Sequence, residues 1–210
     1  MRKLINYENN GLNNSDTLIL VLHEIYGINR HISDTVEKFR QMGFDAFCPD
    51  FTGLSEPFAY DCGLEAYTHF IKNTGFTDAA RQTGLLAALA KKAGYRRIIL
   101  CGYSIGATVA WLCSREQNVD GVICYYGSRI RDYAGINPAC PALLIFPSHE
   151  ESYDVKSFAA SISKPGVQVI TAEGRHGFAD RYSPNYNEAS CLQAEELVTF
   201  FIQNRLGISK

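Results

Sequence analysis

A run of apolar residues, Ile98-Ile99-Leu100-Cys101, breaks off at Gly102-Tyr103-Ser104-Ile105-Gly106, and a second apolar segment begins at once with Ala107. The first run carries the β-branched residues of a buried strand, and residues 107–113 carry the small and apolar residues of a buried helix. A strand that turns straight into a helix, with a serine at the turn and glycines two residues to either side, presents the serine hydroxyl at the top of a sheet. The glycines are read as supplying space, since a Cβ at either position would press on the turn. Ser104 also lies at the start of a helix spanning 105–116, where unpaired N–H groups and the helix dipole favour developing negative charge.

The remaining segments fit around that turn. Residues 17–22, Thr-Leu-Ile-Leu-Val-Leu, form a continuous apolar run of the kind covered on both faces, ending at His23-Glu24-Ile25-Tyr26-Gly27. Ile32, Val36 and Phe39 recur at helical spacing before Met42-Gly43, and Phe44 to Cys48 reads as the next strand, ended by Pro49-Asp50. Residues 50–76 read as a loop with one short helix near 64–72. Thr77-Asp78 reads as the N-cap of a helix running through Leu89 to Gly94. Strands are expected at 121–126, 141–146 and 167–170, and a terminal helix carries Ala194, Leu197, Val198, Phe201 and Ile202 on one stripe before Gly207. Alternating strands and helices predict an α/β fold, a mostly parallel sheet with helices on both faces and right-handed crossovers. In such sheets sites lie at the carboxyl ends of the strands.

Length and charge narrow the functional classes. The 210 residues fit one domain spanning 1–210, with no room for a separate lid. A net charge of −2 with no basic run gives no footprint for nucleic acid or an anionic membrane, so the expected partner is a small molecule, met by a monomer or small homo-oligomer. Seven cysteines without a CxxC pair favour reduced, buried thiols and a cytoplasmic location. The start, Met1 to Tyr7, lacks the apolar stretch of a signal peptide, and nowhere do enough apolar residues run together to span a membrane.

A serine hydroxyl is a poor nucleophile near neutral pH and needs a base within hydrogen-bond reach and a third group to orient that base. Among five histidines, His176 is the candidate base, because Glu173-Gly174-Arg175-His176-Gly177-Phe178 follows the last strand in a glycine-flanked loop. His23 is second, with a strand-end shaping role as its alternative. His31 and His69 fall on covering segments, and His149 reads as a solvated loop residue. Glu150, Glu151 and Asp154 all follow the strand ending at Phe146. Glu150 comes soonest and gives the order Ser104, Glu150, His176; Asp154 is the alternative acid. The N–H groups of Ile105 and Ile25 are the expected oxyanion donors. Tyr103, Tyr26 and the aromatics between 51 and 70 are the expected pocket lining. No metal and no cofactor is required by this chemistry.

The motifs His23-Glu24-Ile25-Tyr26-Gly27-Ile28-Asn29, Cys48-Pro49-Asp50, Gly102-Tyr103-Ser104-Ile105-Gly106 and His176-Gly177-Phe178 together resemble the dienelactone hydrolases of the α/β-hydrolase superfamily, in the right order across most of the chain. The resemblance implies a compact α/β-hydrolase without a lid domain that cleaves a small carboxylic ester or lactone through an acyl-enzyme on Ser104. Two departures matter. The nucleophile, commonly cysteine in that family, is Ser104, which leaves two roles open to Glu24, the match of a family glutamate: bonding Ser104 at rest or shaping the loop. Asp180 stands where an arginine holds the substrate carboxylate in enzymes acting on dienelactone, with Arg181 one residue away as a substitute. This implies a substrate other than dienelactone. A catalytically slow ligand-binding or regulatory protein, and an acyltransferase using the same triad, are the alternative readings.

Overall fold

The computed structural model describes residues 15–208; the Met1 to Tyr7 stretch lies outside them. Among the described residues six strands form one sheet: β1 (Thr17–Leu22), β2 (Asp45–Phe47), β3 (Arg97–Tyr103), β4 (Gly121–Tyr125), β5 (Ala142–Pro147) and β6 (Val167–Ala172). Their order is β2-β1-β3-β4-β5-β6, and every neighbouring pair is parallel. The chain runs outward from β1 to one edge and returns to build the other side from β3. The reversal falls between β1 and β3, so the loops after Leu22 and Tyr103 flank a natural crevice.

Helices cover both faces. On one side α1 (Arg30–Gln41) and α6 (Glu188–Asn204) bury Ile32, Val36, Phe39, Ala194, Val198 and Phe201 against Ile19, Val21, Ile99 and Cys101. On the other, α3 (Gly75–Lys92), α4 (Ile105–Cys113) and α5 (Val155–Ser161) pack Leu86, Val109, Trp111 and Val155 against Leu20, Leu100 and Leu144. Alternate residues of each strand serve alternate faces, which is why these strands read as unbroken apolar runs. The remaining helix, α2 (Gly63–Asn73), lies in the segment expected to carry one short helix and follows a 3₁₀ turn at Tyr60–Cys62.

Several boundaries differ from the sequence reading. Helix α3 begins at Gly75, directly after α2, so Thr77-Asp78 lies inside its first turn; Asp78 instead accepts from Arg81 Nε (2.9 Å) and Gln82 Nε2 (2.9 Å). Helix α4 stops at Cys113 instead of 116, where the Ser114 hydroxyl donates back to the Trp111 carbonyl at 2.7 Å. The 3₁₀ segment Ser128–Tyr133 and α5 were not expected from the sequence; both are too short to show a periodic pattern.

Candidate active site

Ser104 sits between β3 and α4 with φ 52° and ψ −112°, a left-handed conformation that a non-glycine residue adopts only under constraint. The flanking glycines leave the room this turn needs. A Cβ at Gly102 would run into the Gly106 carbonyl, and one at Gly106 into the Leu22 and His23 carbonyl oxygens at the end of β1. The Ser104 N–H is tied to the Tyr125 carbonyl at 3.0 Å, so the turn is anchored to β4 as well.

His176 arrives on the loop after β6. Gly174 (φ +129°) and Gly177 (φ +86°) supply the left-handed turns that fold the loop back over the sheet, and Asn185 Nδ2 donates to the His176 carbonyl at 2.8 Å. The ring lies between Ser104 and Glu150: Nε2 is 2.9 Å from Ser104 Oγ and Nδ1 is 2.7 Å from Glu150 Oε1. With Nδ1–H donating to the carboxylate, Nε2 is left to accept from the serine. Burial works to lower the His176 pKa, but the bond and charge of Glu150, with the charge of Glu24 added, leave it above the ordinary histidine value. The imidazole still keeps 37 % of its surface open at the mouth, whereas the Glu150 side chain is only 8 % exposed.

The other acidic and imidazole candidates are engaged elsewhere. Asp154 is the N-cap of α5, accepting from Ser157 N at 3.1 Å and Ser157 Oγ at 2.9 Å, and Glu151 faces Arg175 on the surface. His23 donates from Nδ1 to the Glu24 carbonyl (2.6 Å) and accepts the Phe51 N–H at Nε2 (2.9 Å). Both nitrogens are used and burial lowers its pKa, so it is a neutral brace between two loops. His31 lies on the buried face of α1, edge-on to Tyr103, His69 bonds the Thr52 carbonyl at 2.8 Å, and His149 is held on its loop by its backbone N–H, which donates to the Gly174 carbonyl at 3.1 Å.

A cavity of about 270 Å³ opens over the serine, lined by Ile25, Tyr67, Ile105, Thr108, Arg129 and Arg131 among others. Ile105 is the first residue of α4, where N–H groups lack an intrahelical acceptor, and Ile25 stands in the loop after β1. The structure thus brings Ser104, His176, Glu150, Ile25 and Ile105 to one place. Glu24 stands just behind them, 4 % exposed. Tyr26, expected in the lining, is not among the residues that line this cavity; its ring lies 4.8 Å from that of Tyr60.

Tyr103 and Arg181 are not part of that cavity, and their expected lining role is corrected. Tyr103 follows the alternation of β3 to the α1–α6 side, where it stacks on Tyr125 at 4.7 Å. Arg181 lines a separate groove there with His31, Asp34 and Glu195. The cause is its neighbour: Asp180 is fully buried, accepting from the Tyr60 hydroxyl and from Tyr182 N at 2.9 Å, which turns residue 181 outward. The sequence reading missed Arg129 and Arg131, which approach the cavity from the 128–133 turn and lie over the rings of Tyr67 (5.9 Å) and Tyr153 (5.0 Å). It also missed Tyr126, whose φ of 40° has no local sequence signal. Among the described residues, no cluster of three or more His, Cys, Asp or Glu residues could hold a metal ion.

The pattern of the dienelactone hydrolase family matches residues 10–206. An uncharacterized Bacillus subtilis protein, YczH, is 33 % identical over 192 residues, covering 90 % of this chain and 94 % of its own. Carboxymethylenebutenolidase 1 of Cupriavidus pinatubonensis is 24 % identical over 195 residues, covering 86 % and 82 %. The crystal structure of a protein described as a dienelactone hydrolase from Klebsiella pneumoniae superposes with a TM-score of 0.72 at 15 % identity, covering 91 % of this chain and 87 % of that one, a likeness of fold. The family pattern runs through all six strands and every residue placed around Ser104, and the chain belongs to the dienelactone hydrolase family.

Proposed function

We propose that this protein is a serine hydrolase that cleaves a small carboxylic ester or lactone in two steps. The observation that carries the reading is the unbroken line of hydrogen bonds from Ser104 through His176 to Glu150, built on a strained turn that leaves the serine facing a cavity. Ser104 Oγ attacks the carbonyl carbon while its proton passes to His176 Nε2, and Glu150 holds the ring and balances the imidazolium that forms. The Ile105 and Ile25 N–H groups receive the developing oxyanion. His176 then returns the proton to the leaving alkoxide. Water, activated by the same nitrogen, releases the acyl group from Ser104.

Glu150 is the acid in this reading because its carboxylate meets Nδ1, while both oxygens of Asp154 serve the start of α5. Arg129 and Arg131 share one counter-charge, Asp132 (3.3 Å and 3.9 Å), which leaves a net positive charge on that wall and favours esters carrying an anionic group over neutral ones. The relatives named carboxymethylenebutenolidase support an ester or lactone substrate. Seven free thiols, six of them buried, suit a reducing compartment, and we place the enzyme in the cytoplasm. No helix among the described residues is long and apolar enough to cross a membrane.

Turnover of a short-chain aryl ester tests the reading against binding without chemistry. Wild-type protein hydrolyses it and Glu150→Ala loses roughly three to four orders of magnitude in kcat, while Asp154→Ala stays near wild type. The reverse pattern moves the acid to Asp154, and folded wild-type protein with no turnover removes the hydrolase reading.

A further inference from the structure

Two buried polar groups beside Ser104 and His176 have no task in the triad. Glu24 Oε1 and the Tyr126 hydroxyl both lack a hydrogen-bond partner among the described residues, although Glu24 is 4 % and Tyr126 0 % exposed. Leaving such atoms unpaired is costly, so their retention calls for a use. The two side chains are close enough for hydrogen bonding between them to shift both their pKa values, although Glu24 Oε1 and the Tyr126 hydroxyl are not joined by a bond of full hydrogen-bond geometry.

Both are held in place by their backbones. The Glu24 carbonyl accepts from His23 Nδ1 (2.6 Å) and Gly27 N (3.2 Å), and Tyr126, in its strained left-handed conformation, donates its N–H to Ile145 at 2.8 Å. The Tyr126 ring lies 5.0 Å from the His176 ring and 5.5 Å from Phe178. The groups acting on the Glu24 carboxyl come from several elements: His176 and Asp180 on the loop after β6, Tyr126 after β4, and Tyr26 and Tyr60 from the loop and turn outside β1.

We propose, on the basis of the triad reading, that Tyr126 and Glu24 form a second support for His176, independent of Glu150. The Tyr126 ring braces the imidazole, and its hydroxyl is placed to donate to the Glu24 carboxylate, so that negative charge stands near the imidazolium formed when Ser104 attacks. Both are positioning residues. In that step the Ser104 O–H bond breaks and a His176 Nε2–H bond forms; Glu24 takes no proton from serine or substrate and exchanges only with solvent.

The electrostatics agree with this geometry. Burial pushes the Glu24 carboxyl up to about 7, His176 works against that shift, Asp180 adds to it, and the Tyr126 hydroxyl opposes it. Glu24 is therefore divided between its neutral and charged forms near neutral pH, and its charge in turn raises His176.

The test compares wild type, Glu24→Gln and Tyr126→Phe in ester turnover as a function of pH, with a nitrogen-15 titration of the His176 imidazole in substrate-free protein. In Glu24→Gln the rising limb of the kcat profile moves to lower pH and the plateau drops about tenfold, because the charge beside the imidazolium is gone. Tyr126→Phe keeps the ring but loses the donor, so Glu24 ionises later. Its turnover is several-fold down at pH 7 and recovers by pH 9. The imidazole midpoint lies higher in wild type than in Glu24→Gln. A loss in Tyr126→Phe that is constant with pH, or equal imidazole midpoints in folded wild type and Glu24→Gln, overturns the proposal. Absence of ester turnover in wild type overturns the triad instead, and the imidazole titration reads the Glu24 coupling regardless.

Discussion

At the scale of single residues, the site is a matter of which polar groups are already occupied. His176 is the histidine with one nitrogen on a buried carboxylate and the other on a serine hydroxyl, whereas His23 has spent both nitrogens on backbone. As a base His176 must be neutral, and its pKa lies above the ordinary value of 6.5. Ester turnover is therefore expected to rise with pH through a midpoint above 6.5; a profile already flat at pH 6 contradicts this. The net positive charge that Arg129 and Arg131 leave on the cavity wall beside Asp132 predicts that Arg131→Ala raises KM for an ester bearing a free carboxylate by about tenfold, with little change for its neutral counterpart. Equal KM changes for the two esters count against a charge-reading wall. The sequence made Ser104, His176 and Glu150 legible because each follows a recognisable strand. It concealed the direction of Tyr103 and Arg181, since the face a residue takes depends on strand register and on the burial of Asp180 beside it.

At the scale of elements, the turn between β3 and α4 is set by crowding against β1. Gly106 packs on the carbonyl oxygens of Leu22 and His23, so Gly106→Ala forces backbone apart at the junction of the two strands that carry the site. It is expected to destabilise the fold by at least about 2 kcal/mol in thermal or denaturant unfolding; a variant as stable as wild type shows that this contact can yield. The apolar runs of β1, β3, β4 and β5 were readable because strands buried on both faces have no polar interruption. The start of α3 was not. A local capping rule picks Thr77-Asp78, but α2 ends at Asn73 and the chain re-enters a helix at Gly75, leaving Asp78 to pair with Arg81 and Gln82. The turn carrying Arg129 and Arg131 is six residues of 3₁₀ helix, too short for any periodicity.

At the scale of the whole molecule, the sheet order places β1 and β3 side by side at its reversal, and β4, β5 and β6 successively outward. One loop from each of β1, β3, β5 and β6 then supplies Ile25, Ser104, Glu150 and His176 to a single crevice, which is why residues far apart in sequence meet. Holding a carboxyl such as Glu24 buried links stability to pH. Its folded pKa of about 7 exceeds the ordinary 4.5, so the folded state binds more protons between those values. The contribution is fully present below 4.5 and is lost as pH rises through 7. Relative to Glu24→Gln, wild type should lose stability on the order of a few kcal/mol between pH 5 and 8, read as diverging Tm curves. Parallel curves contradict a buried, protonated Glu24.

The central claim is that Ser104 is a nucleophile activated by His176. Its most direct measurement is the intact mass of the protein after exposure to a fluorophosphonate, in wild type and in Ser104→Ala. One adduct on the wild type, absent from the variant, with ester turnover lost in parallel, is the predicted result. An unlabelled, folded wild type, or an adduct that persists in Ser104→Ala, contradicts it.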